Sequence, residues 1–320
     1  MSSEFDLIQT YFNWHYPEKP PASFGLIKGI GDDGAVLQIP SKQQLIVTTD
    51  TLISGVHFPE QTPPHAIGHK SLAVNLSDLA AMGADPAWFT LALTLPHQDK
   101  QWLSDFSAGL KALADKAGIQ LIGGDTTKGP LSISITAMGL AESKDLMMRS
   151  SAKDKDVIYV THTLGDAAAG LAMLQQRFEG EDDHSCIEYL NYPTPRNDGS
   201  ILIRCYANAC VDISDGFLAD LNHILQSSKV GAVIDLDTIP LPKALQDIDQ
   251  QKALEYALTG GDDYELLFTV AQENQYAFEQ LVQQEKRLEC IAVGVIDSAI
   301  NGIVSNQKEV LTPKGYNHFR

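Results

Sequence analysis

Six times along this chain a carboxylate stands among Gly, Ser or Thr: Asp33 in GIGDDG, Asp50 in VTTDT, Asp78 in NLSDLAA, Asp125 in IGGDTT, Asp212 and Asp215 in DISDG, and Asp262 and Asp263 in GGDDYE. Most of these follow an apolar, strand-like run. Any one of them is ordinarily a turn former or a helix cap. Six of one chemistry restrict the fold more tightly, because gathered like charges repel unless a counter-charge sits among them. In α/β folds ligand sites gather beyond the ends of strands.

The spacing of apolar residues predicts the elements around these acids. LIVTT (45–49) reads as a strand ending in Asp50, and WFTLALTL (88–95) as another. A helix is expected over 65–81, with Ile67, Leu72, Leu76, Leu79 and Ala80 on one face. A second, amphipathic helix covers 100–116 and stops at Gly118. QLIGGD and LSISITAMGL (131–140) give two more strands. The polar stretch RSSAKDKD, 149–156, marks the expected boundary between domains at 1–150 and 151–320. After it the pattern restarts, with strands in VIYVT, ACVDIS, AVIDL, ELLFTV and IAVGVI and helices over 166–178 and 216–228. The alternation in both halves predicts a mixed α/β architecture.

GIGDDG also spells G-x-G-x-x-G, through Gly29, Gly31 and Gly34. A dinucleotide fingerprint needs a helix directly after its glycines, facing the pyrophosphate. Pro40 would interrupt that helix, and residues 35–39 read as a strand. Strand–turn–strand is therefore expected, with the acids serving a cation. Oxygen ligands without a Cys or His cluster suit a hard ion such as Mg²⁺. The calcium loop D-x-[DN]-x-[DN]-G is absent. Because Mg²⁺ commonly takes one or two carboxylates plus phosphates, this many acids imply several ions around a polyphosphate. No Gly-Lys dipeptide, H-R-D or D-F-G occurs, so a triphosphate here would be gripped through metals. Asp32 is either a further ligand or a turn residue facing solvent. Ser-Asp and a later Gly-Gly-Asp recur 47 residues apart in each half, a hint of two related halves.

A net charge of −18 argues against a nucleic-acid binder, which needs a basic face. No apolar run reaches the ~18 residues of a membrane span. The opening MSSEFDLIQTYF has acids where a signal peptide carries basic residues. A cytoplasmic protein without membrane partners is expected. The four cysteines form no C-x-x-C, so reduced thiols are expected.

GIGDDGAV, VTTDTLISGVHF, KSLAVNLSDLAAMGADPAW, LIGGDTTKGPLSISITAMG, DISDGFLADL, GGDDYELLF and KGYNHF together resemble the thiamine-monophosphate kinase family, in order over almost the whole chain. The wider superfamily includes aminoimidazole ribonucleotide synthetase. The resemblance implies two α/β domains, the first contributing to a dimeric β-barrel, with an ATP site between the domains. It implies transfer of the γ-phosphoryl group of ATP to thiamine monophosphate, assisted by several Mg²⁺ ions, in a homodimer. Matching metal-ligand positions are Asp33, Thr48, Thr49, Asp50, Asp78, Asp125, Asp212 and Asp215. Gly124, Arg149 and Ser214 match ATP-contacting positions, and His57, Asp262 and Phe319 match positions that touch thiamine monophosphate. The family motif has Glu where this chain has Asp262, one methylene shorter. From the acids alone, an ATP-dependent synthetase or a non-catalytic protein with structural cation sites are the competing readings.

Overall fold

The computed structural model describes residues 4–14, 25–181, 183–285 and 288–316. The chain divides into two compact units, Met1–Leu79 with Ala84–Asp145 and Ala80–Gly83 with Leu146–Arg320. Both mix helices and sheet. No composition shift in the sequence marks the Ala80–Gly83 segment, which falls in the second unit.

In the first unit β1 (Leu26–Lys28) and β2 (Val36–Leu37) pair antiparallel, with Leu26 opposite Leu37. The glycine-rich stretch is the turn between them, and no helix follows it. This matches the strand–turn–strand expectation. A four-stranded sheet contains β3 (Gln43–Ile53), β4 (Asp85–Leu95), β5 (Gln120–Lys128) and β6 (Ser132–Glu142), in the order β3-β6-β4-β5. Only β4 and β5 are parallel, and the helix Lys100–Ala117 supplies their crossover. In β6 the buried Ile133, Ile135 and Ala137 alternate with the partly exposed Ser132, Ser134 and Thr136, as a sheet with one covered face requires.

The Lys100–Ala117 helix starts at Asp99, whose carboxylate accepts the N–H groups of Gln101 (2.9 Å) and Trp102 (3.1 Å). It ends at Gly118 in the left-handed conformation, φ 67°. Its neighbour is the helix Pro64–Ala81. A Cβ on Gly68 would stand 2.1 Å from the Phe106 carbonyl oxygen, and one on Gly109 would stand 1.9 Å from that of His65. Glycine at both positions brings the two helices into backbone contact. The Pro64–Ala81 helix is buried on nearly every side, Lys70, Ser71, Asn75 and Ser77 included, so the single apolar face expected from the sequence is not what it shows.

Two acids expected at strand ends sit inside strands. β3 continues past Asp50 to Ile53, and β5 continues past Asp125 to Lys128. The flanking threonines are β-branched and extend the ladders readily. Asp78 lies in the last turn of its helix, where the expected span of 65–81 puts it.

The second unit holds a seven-stranded sheet of β7 (Val157–Thr161), β8 (Ala207–Asp212), β9 (Gly231–Ile234), β10 (Leu266–Val270), β11 (Cys290–Asp297), β12 (Ile303–Ser305) and β13 (Val310–Leu311). Its order is β13-β12-β9-β11-β7-β10-β8, and only β12–β9 is parallel. β7 and β10 are buried at every residue, which is why they read as continuous apolar runs. Phe217, Leu221 and Ile224 of the helix Phe217–Ser228 join one core cluster with Ile158, Val160 and Val211. Tyr159, Phe268 and Phe278 belong to another, with ring centroids 5.0 to 5.6 Å apart. All four cysteines are free. Among the described residues no helix is long and apolar enough to cross a membrane.

Candidate active site

Strand alternation sorts the β3 residues. Thr48 and Asp50 point to one face of the sheet, and Thr49 and Thr51 to the other. On that second face Thr49 Oγ1 lies 2.9 Å from Thr136 Oγ1, and Thr51 Oγ1 lies 2.7 Å from Ser134 Oγ. Asp78 meets Thr48 and Asp50. Thr48 Oγ1 donates to Asp78 Oδ2, and Asp50 stands close enough to Asp78 to feel its charge. Burial, and then the Asp78 charge, raise Asp50 from 3.8 to about 7. Two acids brought together beside a hydroxyl are an oxygen donor set that a hard divalent cation fits.

This pair has a consequence for pH. The folded protein keeps the Asp50 proton to about pH 7, whereas the unfolded chain releases it near 3.8. Between those values the unfolded state binds fewer protons, so metal-free stability falls as pH rises. Thermal melts in chelator should drop across that window. Asp50→Asn should flatten the drop, and a parent melt independent of pH from 4 to 7 would remove the acid pair as its source.

The other expected ligands of the first unit stand apart from this pair. Asp125 is paired in register with Ala92, Ala92 with Ser134, and Ser134 with Thr51, so Asp125 lies in the Thr51 row and not the Asp50 row. Asp33 is exposed on the β1–β2 turn, where its N–H donates to Asp32 Oδ1 at 3.0 Å. Asp32 is also exposed, 3.9 Å from Lys28 Nζ, and behaves as a turn residue. Among the described residues Asp33, Asp50, Asp78 and Asp125 provide no three ligand atoms within 4.8 Å of one another. Gly124 is fixed by packing, since a Cβ there would stand 1.9 Å from the Leu91 carbonyl oxygen. His57 Nδ1 accepts the Ile53 N–H at 3.0 Å.

In the second unit Asp212 ends β8 and is 3% exposed. The turn after it is organised by Asp220, a residue that sequence reasoning missed. Asp220 Oδ2 accepts the N–H groups of Ser214, Asp215 and Gly216 at 3.0, 3.0 and 3.1 Å. Burial, opposed by these N–H bonds and aided by the Asp215 charge, sets Asp220 at about 7. Asp215, Asp220 and His223 place one ligand atom each within 4.8 Å of the others. The GGDDYE loop lies on the same turn, where Asp262 N donates to the Ser214 carbonyl at 2.9 Å and Tyr264 N to that of Ile213 at 2.8 Å. Ser214, Asp215 and Asp262 are thereby brought together. Arg149 is exposed in a single 3-10 turn, and its carbonyl accepts from Ser228 Oγ at 2.9 Å. Phe319 lies outside the described residues.

The loop is anchored from behind. Asp263 accepts from Gly165 N at 2.9 Å and from Ala167 N at 3.5 Å, and desolvation pushes it well above the usual carboxylate range. Glu265 takes a two-point contact from Arg196, through Nε at 2.6 Å and through Nη2, and the Thr161 hydroxyl also donates to it. These anchors pair residues 69 to 104 positions apart, so local pattern cannot reveal them. The equal 47-residue spacing is not a structural repeat. Asp78 is helical and Asp125 is in a strand, whereas Asp215 and Asp262 lie in irregular segments.

Two family models match the chain: AIR synthase related protein, N-terminal domain, over residues 31–141, and AIR synthase related protein, C-terminal domain, over residues 153–304. The thiamine-monophosphate kinase of Salmonella typhimurium is 45% identical over 99% of this chain and 98% of its own length. The chain belongs to the thiamine-monophosphate kinase family. The crystal structure of the family member from Stenotrophomonas maltophilia superposes with a TM-score of 0.83 at 45% identity, covering 90% of this chain and 92% of that one. A second family structure, AaThiL complexed with AMPPCP and TMP, has a TM-score of 0.77 at 33% identity, covering 91% of this chain and 92% of that one.

Proposed function

We propose that this chain transfers the γ-phosphoryl group of ATP directly, in line, to the phosphate of thiamine monophosphate, giving thiamine diphosphate and ADP. The observation that carries the reading is the neighbouring Asp50 and Asp78 beside the Thr48 hydroxyl, a setting that a cation would neutralise. The family and the relative that binds both AMPPCP and TMP support the choice of substrates. We assign Mg²⁺ ions to Asp33, Thr48, Thr49, Asp50, Asp78, Asp125, Asp212 and Asp215. When bound, Mg²⁺ supplies the positive charge that lets two polyanions meet.

The acceptor is a phosphate monoester with a second pKa near 6, so it is already mostly dianionic at neutral pH. No side chain has to create the nucleophile, and none is assigned as general base. The residues of this chain have the tasks of binding, orienting and excluding water. Gly124, whose position lies against the β4 backbone, Arg149 and Ser214 are assigned to ATP. His57, Asp262 and Phe319 are assigned to thiamine monophosphate. β3 is an edge strand with Leu45, Val47 and Ile53 exposed, which supports a homodimer formed through a shared β-barrel. The same reading places the reaction in the cytoplasm.

³¹P NMR of ATP, thiamine monophosphate and Mg²⁺ with the protein tests the reaction. New diphosphate resonances should grow as the thiamine monophosphate signal is lost. ATP consumption that leaves that signal intact would overturn the assignment.

A further inference from the structure

The GGDDYE loop adopts backbone conformations that L residues rarely take: φ is 70° at Asp262 and 52° at Tyr264. Such a kink persists only where its surroundings over-determine it. Here the Ser214 and Ile213 carbonyls hold the Asp262 and Tyr264 N–H groups, and Asp263 and Glu265 are tied to Gly165 and Arg196. The kink folds the Tyr264 side chain back over the loop. Its hydroxyl donates to Asp262 Oδ1 at 2.9 Å, two residues away. The residue is 8% exposed, so little freedom remains to the ring.

We infer that Tyr264 is a positioning residue for thiamine monophosphate, acting through Asp262. A carboxylate on a short side chain can rotate about its last bond. A donor fixed on Oδ1 stops that rotation and sets the direction in which the carboxylate presents its lone pairs to an N–H donor such as an aminopyrimidine. The inference rests on the proposed assignment of Asp262 to the substrate. It adds Tyr264 to that site, and it gives the Tyr264 hydroxyl a task distinct from the packing of its ring. Asp at this position, shorter than Glu, is the side chain that this hydroxyl reaches.

Tyr264→Phe removes the hydroxyl and keeps the ring. The KM for thiamine monophosphate should rise about tenfold, the size of one lost hydrogen bond of this kind. The KM for ATP and kcat should stay within about twofold, since neither depends on where Asp262 points. Asp262→Ala should raise the same KM at least as much, and adding Tyr264→Phe to it should raise it no further, because the hydroxyl then has nothing to orient. A parent-like KM in Tyr264→Phe beside a raised KM in Asp262→Ala overturns the positioning role and leaves the substrate assignment standing. Full additivity in the double mutant also overturns it. A parent-like KM in Asp262→Ala removes the assignment and the inference with it. A general loss of structure in Tyr264→Phe would lower kcat and move both constants, and that outcome counts against positioning.

Discussion

Asp50→Asn is expected to abolish turnover and, in the same molecule, to make the metal-free protein more stable at pH 8. The two effects have one cause. Asp50 and Asp78 are neighbouring acids, and burial and mutual repulsion hold Asp50 near 7. At pH 8 the metal-free protein carries both charges at a cost. A shift of about three units is worth at most ~4 kcal/mol, and relaxation and solvent bring the expected gain to about 1–2 kcal/mol. The amide removes that cost but is a poor cation ligand, so the charge needed between two polyanions is lost. Asp125→Asn should also abolish turnover, yet leave metal-free stability unchanged, because Asp125 is exposed and outside the Asp50 row. Turnover at saturating Mg²⁺ and melts in chelator separate the two variants. Activity within tenfold of the parent, or a metal-free Asp50→Asn that melts lower than the parent, would defeat the account.

Arg196→Leu should be the most destabilising substitution among the charged residues described here, by about 3–5 kcal/mol. It strands Glu265, which is 4% exposed and accepts from Arg196 at two points. Once alone, the carboxyl must take a proton or remain as an uncompensated charge. Desolvation already pushes Glu265 upward, and the Arg196 contact is the largest influence opposing it. Arg196→Leu with Glu265→Leu should recover much of the loss, because an apolar pair leaves no orphaned charge. Denaturant unfolding of both variants reads this directly. A double variant no more stable than Arg196→Leu alone would show that the pair matters for shape rather than charge.

The Asp50 and Glu265 cases show what kind of information sequence carries. Asp50 was found because local chemistry repeats: a carboxylate among β-branched residues stands out, and VTTDT resembles a known family. Its partner Asp78 is found in the same way, and the helix expected over 65–81 already puts it in the last turn; what the local pattern misses is that this helix is buried on nearly every side. Glu265 was passed over, because it looks like an ordinary residue opening the run ELLFTV. Nothing in its neighbourhood names Arg196, 69 positions away. The two short helices His184–Asn191 and Asn197–Ile203 were also not read. They are short and separated by Pro193 and Pro195, so neither repeats a period long enough to register.

What the sequence by itself determined was the alternation of strands and helices in both halves, the strand–turn–strand form of GIGDDG and the membership of the family. Each rests on residues within a few positions of one another, or on ordered motifs. The tertiary structure decided which carboxylates meet. Thr48 and Asp50 turn toward Asp78 while Thr49 turns away, because alternate residues of a strand face opposite ways and only one face of this sheet is covered by helices. Asp125 falls in the Thr51 row because the register across β6 and β4 puts it there. Asp220, which is buried, gathers three N–H groups because a helix start and a strand end converge on it. Register, facing and burial depend on contacts between distant segments, and those come into being only when the chain closes on itself.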